Sequence, residues 1–375
     1  MPAYQASRLP GAAGLRDLGL VRTREKGHTE GMRGDRIVRR GLWALALVAA
    51  LAGCVQAPGP LPTGNGTTSA TPSATPSATP SAASSAASSA TRAAQPSAAP
   101  TTPPSPTPAP SGSVAVVLVA GDIAACGVEG DELTAAIVEA EEGTVLTVGD
   151  HAYPNGSAEE FDECYDPSWG AFRDRTRPAM GNHDYHTDLG APYFAYFGDA
   201  AGTPGEGWYS FDIGEWHIVA LNSNCALVGC DEGSPQADWL AQDLEDNPAE
   251  CTLAYWHHPR YSSGPEGGHP EVRALWEILD RAGGDVLLAG HAHAYERLVP
   301  LDWDGYNDPD GIRHFIVGTG GRSLYDFADI EPASDVRSDQ AFGVLKLSLN
   351  PGTYDWEFLP VEEDGFTDSG SADCH

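Results

Sequence analysis

From Val114 onward, continuously apolar runs alternate with stretches of helical periodicity. The runs are VAVVLVAGD (114–122), GTVLTVGD (143–150), WHIVALNSN (216–224), CTLAYWHHP (251–259), DVLLAGHAH (285–293) and HFIVGTGG (314–321). Short, rich in Val, Ile and Leu, and without polar alternation, they predict strands covered on both faces. Between them, DELTAAIVEAEE (131–142) sets Leu133, Ile137 and Val138 at helical spacing. SPQADWLAQDLED (234–246) opens with Ser234 as N-cap and Pro235 at the first helical position. HPEVRALWEILDRAGG (269–284) stacks Val272, Leu275, Trp276 and Leu279 ahead of a closing Gly-Gly. FGVLKLSLNPGTYDWEFLP (342–360) predicts a hairpin turned at Asn350-Pro351-Gly352. The sum is one α/β domain over 114–375, with strand–helix alternation in the middle and antiparallel additions late. The last residues, through His375, read as polar and frayed apart from Cys374.

The chain before Val114 obeys other rules. Residues 54–113 are Pro, Ser, Ala and Thr almost throughout, repeat TPSA at 71–82, and contain no aromatic residue. Such a segment cannot bury enough apolar surface to fold and predicts a disordered tether. Its reach lies between roughly 40 Å as a flexible coil and about 180 Å as an extended proline-rich helix. Upstream, Arg36, Arg39 and Arg40 precede an apolar run from Leu42 to Ala52, too short for a bilayer span but suited to an export signal. Leu51-Ala52-Gly53-Cys54 resembles a bacterial lipoprotein signal, which implies a signal peptide over 1–53 and lipid attachment at Cys54. Met32 is an alternative start, because the stretch before it is long and polar for a signal. Arg39-Arg40-Gly41-Leu42-Trp43 resembles a twin-arginine export signal. The expected location is extracytoplasmic, on the outer face of a bacterial cell membrane, with the lipid anchor as membrane partner.

Charge sharpens this picture. Residues 114–375 hold eleven basic and 49 acidic residues, a formal net charge of −38, and Lys346 is their only lysine. Such a field repels nucleic acid and anionic membranes, so no nucleic-acid partner is expected. A domain of this sign that handles a phosphate anion needs a local positive centre, which bound metal would supply. The six cysteines after Cys54 are Cys126, Cys164, Cys225, Cys230, Cys251 and Cys374. An even count in an exported domain points to three disulfides. Cys225 and Cys230 flank a short loop and pair first; Cys126 with Cys164 and Cys251 with Cys374 follow by elimination.

Candidate chemistry falls at the ends of the apolar runs. Asp122 sits in AGDIA, Asp150 and Tyr153 in GDHAY, Asn182 in GNHD after the short run RPAM (177–180), His257 in WHHP, and His291 and His293 in GHAH. Carboxylates, a phenol, an amide and three imidazoles make a ligand set for two hard or borderline metal ions sharing one oxygen donor. In open sheets such residues collect where strands end at their carboxyl termini.

These blocks resemble the calcineurin-like metallophosphoesterases, and within them the purple acid phosphatase branch, over about residues 114–360. The resemblance implies a four-layer β-sandwich flanked by helices, with a dinuclear metal site at strand C-terminal ends. It implies Asp122, Tyr153 and His293 as ligands of the first metal, Asn182, His257 and His291 as ligands of the second, and Asp150 as the bridge. Most of the wider family carries a His two residues after the first Asp, where this chain has Ala124. Tyr153 offsets that loss at the position the purple phosphatases use, which implies Fe(III) in the first site with Zn, Fe or Mn in the second. GDIA replaces the branch's more frequent GDxG, a change at the backbone that leaves the ligands intact.

The activity implied is a hydrolase cleaving phosphate monoesters with a metal-bound hydroxide, its substrate a phosphorylated small molecule. A phosphodiesterase or nucleotide hydrolase on the same centre is the alternative, to be decided by loops 155–176, 185–206 and 260–270; a binding lipoprotein without turnover is a third reading. His183 resembles the family residue that contacts phosphate and assists the leaving group, with Asp184 orienting its imidazole. His258 reads equally as a substrate contact or a strand neighbour, and His269 as a mouth residue or a helix cap. His151 lies among the ligands, near them or simply buried. His186, His217 and His314 read as polar or packing residues. Gly318-Thr319-Gly320-Gly321 lacks both phosphate-loop spacings and reads as backbone crowding beside the metals, with substrate contact open.

Overall fold

The computed structural model describes residues 114–375. The expected signal over 1–53, the start at Met32, the tether over 54–113 and Cys54 lie outside the described residues. Within them no helix is long and apolar enough to cross a membrane.

In chain order the strands are β1 Ala115–Ala120, β2 Thr144–Val148, β3 Thr176–Ala179, β4 Tyr209–Ile213, β5 Trp216–Ala220, β6 Cys251–Tyr255 and β7 Val286–Ala289. They continue with β8 Tyr295–Leu298, β9 Arg313–Val317, β10 Ser334–Ser338, β11 Gly343–Asn350, β12 Thr353–Pro360 and β13 Ser369–Asp373. The longer helices are α1 Gly130–Ala140, α2 Ala191–Phe197, α3 Pro235–Asp246 and α4 Arg273–Arg281. Two sheets result. One is six-stranded in the order β13-β12-β11-β1-β2-β3; the other is seven-stranded in the order β10-β8-β9-β7-β6-β5-β4. β1, β2 and β3 are parallel, as are β5, β6, β7 and β9. The added strands on both sides are antiparallel.

Alternation of side chains along each strand explains why the runs are apolar throughout. Val117, Val119, Leu146, Val148 and Leu347 of the first sheet share one cluster with Ile218, Leu253, Tyr255, Leu288 and Phe315 of the second. The opposite faces are covered too. Leu118, Ala120 and Val145 pack with Val138 of α1 and Tyr193 and Phe197 of α2. Val219, Ala254, Leu287 and Ile316 pack with Leu240 of α3 and Leu275, Trp276 and Leu279 of α4. The layers are helix, sheet, sheet, helix, as the resemblance implied.

Local signals placed most elements. Ser234 accepts from the Ala237 amide and opens α3. Before α4, Pro270–Val272 winds as a tighter turn, and Gly283 beyond it takes φ 76°. The hairpin turns at Pro351 and Gly352, and β11 pairs with β12 from Asn350↔Thr353 outward. All three expected disulfides form, Cys126–Cys164, Cys225–Cys230 and Cys251–Cys374. One expectation fails. The C-terminal residues are not frayed: Ser369–Asp373 add β13 to β12, and the His375 amide donates to Asp285 Oδ1 at 2.9 Å. Ser-Gly-Ser-Ala has little strand preference of its own, and the edge is held by a ready-made partner strand and the Cys374 bridge.

Candidate metal centre

Five of the parallel strands, β1, β2, β3, β6 and β7, end in turns that throw polar side chains into one shared space. Asp122, Asp150 and His291 all take positive φ, 59°, 55° and 68°. Non-glycine residues seldom do so, each at a cost of about 1–3 kcal/mol, and such strain clusters at functional sites. A two-residue parallel ladder, Ala124↔Ala152 and Ala125↔Tyr153, ties the turn after β1 to the turn after β2. Glycine precedes several candidate ligands because the ligands crowd one another's backbones. A Cβ on Gly290 would stand 2.8 Å from Asp122 Oδ2, and one on Gly149 would stand 2.5 Å from His257 Nδ1.

The seven candidate ligands meet as two linked groups. In the first, Tyr153 OH lies 2.9 Å from Asp122 Oδ1, 2.8 Å from Asp150 Oδ2 and 3.1 Å from His293 Nε2. His293 Nε2 is 3.2 Å from Asp122 Oδ1. In the second, Asn182 Oδ1 lies 3.0 Å from His257 Nε2 and 3.1 Å from His291 Nδ1, and those two nitrogens are 3.3 Å apart. Asp150 Oδ2 joins the groups, because it also faces His257 Nε2 at 3.5 Å.

The far side of each imidazole is already committed. His257 Nδ1 donates to the Val148 carbonyl at 2.8 Å, His291 Nε2 to Glu266 Oε2 at 3.0 Å, and His293 Nδ1 meets Ser323 Oγ at 2.8 Å. Such anchors fix the tautomer and aim the other nitrogen inward. Asn182 Oδ1, His257 Nε2 and His291 Nδ1 therefore converge; the proton that Asp150 draws onto His257 stands where a cation would take its place. Separations near 3 Å between donor atoms match the edges of a coordination shell with bonds of about 2.0–2.2 Å. The donor set fits two cations.

The electrostatics ask for positive charge. Burial opposes ionising Asp122, but His293 and His257 prevail and hold its carboxyl below the usual range. Asp150 is likewise buried, which opposes its ionisation, but His257 and His183 hold its carboxyl below the usual range. Burial also opposes charging His257, yet Asp150 beside it raises that imidazole to about 9. Burial and the charge of His257 lower His291. Tyr153 is pushed well above the ordinary phenol range by burial and by both carboxylates. Only a strongly charged cation would take its proton.

His183 stands at the edge of this space. Its amide donates to Asp150 Oδ1 at 2.8 Å, its Nδ1 donates to the Pro154 carbonyl at 2.7 Å, and its Nε2 is 3.9 Å from Asp150 Oδ2. Its ring rests 4.4 Å from that of Tyr153. His258 is brought in as well, its ring 4.6 Å from His291 and 4.9 Å from His257. Ser223 Oγ accepts from the amides of His257 and His258 and so donates to His258 Nδ1 at 2.8 Å. Burial, followed by the charge of His257, holds His258 neutral, leaving the proton on Nε2. His269 lies 4.9 Å from His291 and does not cap the following turn with its side chain, which favours the mouth over the cap.

Asp184 departs from expectation. Its carboxylate makes no hydrogen bond to the His183 imidazole, whose Nδ1 is bonded to Pro154 instead. Fully buried, it accepts from the amides of Asp150 (3.1 Å), His151 (3.1 Å) and Gly181 (2.9 Å) and from His151 Nδ1 (2.9 Å). Its role is to lock the turns that carry Asp150 and Asn182. His151, bonded to Thr147 Oγ1 at 2.7 Å, is its buried partner among Phe161, Tyr165, Tyr193 and Phe197. Of the remaining histidines, His217 sits between Asp212 and Asp243, and His314 is buried against Trp276 and lowered by that burial to about 3. Sequence reasoning missed Glu266, Ser323, Arg322 and Tyr325. The last packs flat on His293 with ring centres 4.0 Å apart. Arg322 directly follows the glycine run 318–321, which was the available signal.

Residues 109–295 match the calcineurin-like phosphoesterase family. The chain belongs to that family. The chain is 29% identical over 217 residues to purple acid phosphatase 15 of Arabidopsis thaliana, covering 47% of this chain and 40% of that protein. It is 29% identical over 254 residues to the phosphoenolpyruvate phosphatase of Allium cepa, covering 57% of this chain and 51% of that protein. The chain thus spans about half the length of the curated relatives it matches. Among solved structures it is similar to a purple acid phosphatase from yellow lupin seeds, with TM-score 0.62 and 22% identity, covering 72% of this chain and 55% of that one. That likeness fixes the fold, a mixed α/β metallophosphoesterase architecture, and the family implies a dinuclear metal centre.

Proposed function

We propose that this phosphoesterase hydrolyses phosphate monoesters outside the cell, with Asp122, Tyr153, His293, Asn182, His257 and His291 holding two metal ions and Asp150 bridging them. The observation that carries the reading is the shared carboxylate: one Asp150 oxygen faces both the Tyr153 phenol and the His257 imidazole. Two cations held there would supply positive charge for the phosphoryl oxygens and a nucleophile available near neutral pH. The chain's own residues do the rest. Asp184 holds the two turns so that Asp150 and Asn182 keep their separation. Pro154 fixes the His183 ring, leaving Nε2 to hold a proton for the leaving oxygen. His258, kept neutral with its proton on Nε2, is a donor to the substrate. His269, beside His291, stands at the mouth.

Tyr153 in place of a histidine ligand supports Fe(III) in the first position, with Zn, Fe or Mn in the second. Three disulfides in the folded region and the Cys54 signal support an exported, lipid-anchored enzyme. Labelled palmitate should enter the wild-type chain and not Cys54→Ala; equal labelling would remove the anchor. The functional test is a panel of aryl monoesters and diesters against the metal-loaded enzyme. Monoesters should be preferred, and a diester preference would overturn the substrate reading.

A further inference from the structure

The strand end that follows β9 is laced to the end of β1, although the two strands belong to different sheets. The Gly121 amide donates to the Val317 carbonyl at 2.9 Å, Gly320 to Gly121 at 2.8 Å, and Arg322 to Asp122 at 3.0 Å. A Cβ on Gly320 would overlap the Gly121 carbonyl oxygen, so glycine is what permits the approach. Arg322 is thereby held against the Asp122 side of the candidate centre. Its guanidinium lies 5.3 Å from the centroid of the Tyr153 ring. Ser323 and Tyr325 of the same loop bond and cover His293.

Position sets Arg322 apart from the other basic residues. Arg273, Arg281, Arg297 and Lys346 each pair with an Asp or Glu, whereas Arg322, like several other arginines, pairs with none among the described residues. It is the only Arg or Lys side chain among the described residues that stacks on or bonds to a candidate ligand. A half-buried, unpaired guanidinium at an anion-handling centre offers a planar fork of N–H donors suited to phosphate oxygens.

We propose that Arg322 is a substrate-binding residue that takes a non-bridging oxygen of a dianionic phosphoryl group, and that it sets the preference for monoesters over diesters. A monoester brings two charges and an additional free oxygen, whereas a diester brings a single charge. A fixed cation beside the centre therefore favours the monoester, against the repulsion of the surrounding acidic surface. This rests on the phosphoesterase reading above.

The test uses the metal-loaded full-length chain as wild type, Arg322→Lys and Arg322→Met, the last keeping bulk over Tyr153 while losing charge. An aryl monoester and a bis-aryl diester are assayed, and inorganic phosphate binding is measured by calorimetry. Loss of one charge-assisted hydrogen bond corresponds to about a 10–100-fold fall in kcat/KM for the monoester, mainly through KM. The diester should change less than about threefold, and phosphate affinity should fall with the monoester value. Arg322→Lys should recover part of both, and metal content should be equal in all three. Unchanged phosphate affinity, equal losses on both esters, or metal loss in both variants would overturn the proposal. A wild type that binds phosphate through Arg322 yet hydrolyses neither ester would overturn the phosphoesterase reading instead.

Discussion

Replacing Asp184 by Asn separates a role in holding the centre from a role in chemistry. Asp184 Oδ1 accepts one amide, from His151, while Oδ2 accepts the amides of Asp150 and Gly181 and the His151 Nδ1 proton. In the better orientation, Asn keeps its oxygen toward these three donors and turns its NH2 against the His151 amide. The three retained bonds lose charge assistance, about 1 kcal/mol each, and one buried N–H is orphaned at about 1–3 kcal/mol. Relief of carboxylate desolvation offsets part of this, leaving a net loss of about 3–5 kcal/mol, the range for breaking a buried ionic partnership. Denaturant unfolding of chelator-treated protein under oxidising conditions should show that loss. Because the Asp150 and Gly181 turns loosen together, metal affinity should fall about 10–100-fold. Turnover per metal-loaded chain should stay within a few-fold of wild type. An Asp184→Asn variant as stable as wild type, with kcat down a hundredfold at full metal loading, would refute the holding role.

Three other outcomes follow from the same geometry. His183→Ala should keep both metals and lose about 10²–10⁴ in rate, the usual contribution of a placed proton donor; unchanged kcat would remove His183 from the chemistry. Tyr153→Phe should abolish the visible phenolate-to-iron absorption of iron-loaded protein, and an unchanged spectrum would exclude Tyr153 as the ligand. His217 is buried, which disfavours its charge, but Asp243 and Asp212 raise it above its ordinary value of 6.5. A raised folded value stabilises fully below the unfolded one and is lost as pH rises through the folded one. The unfolding midpoint should therefore fall above neutrality, and His217→Gln should flatten that dependence; an identical pH profile would refute it.

The candidate ligands were legible because each follows an apolar run, and strand ends gather such residues whatever the loops do. Tyr153 was legible only through its offset from Asp150 and the alanine at position 124. What escaped lay in tertiary context. Asp184 follows His183 directly, so adjacency suggested a pair, but the tight turn sends the two side chains in different directions. Arg322 is one of few arginines in an acidic domain, yet nothing local shows that β9 ends against β1. β4, β8 and β10 carry polar or charged residues that only a neighbouring strand turns into sheet. α2 is compressed into Ala-Pro-Tyr-Phe-Ala-Tyr-Phe, too short for its periodicity to register. β13 exists because β12 offers an edge and Cys251 holds Cys374.

Two metal ions joined by Asp150 require a stoichiometry of two. Metal analysis of the purified folded chain should give about two ions in wild type. Asp150→Asn, which suits the same positive φ, should lose at least one ion and turnover together. A wild type saturating at a single ion, or an Asp150→Asn variant retaining two ions and full turnover, would contradict the account.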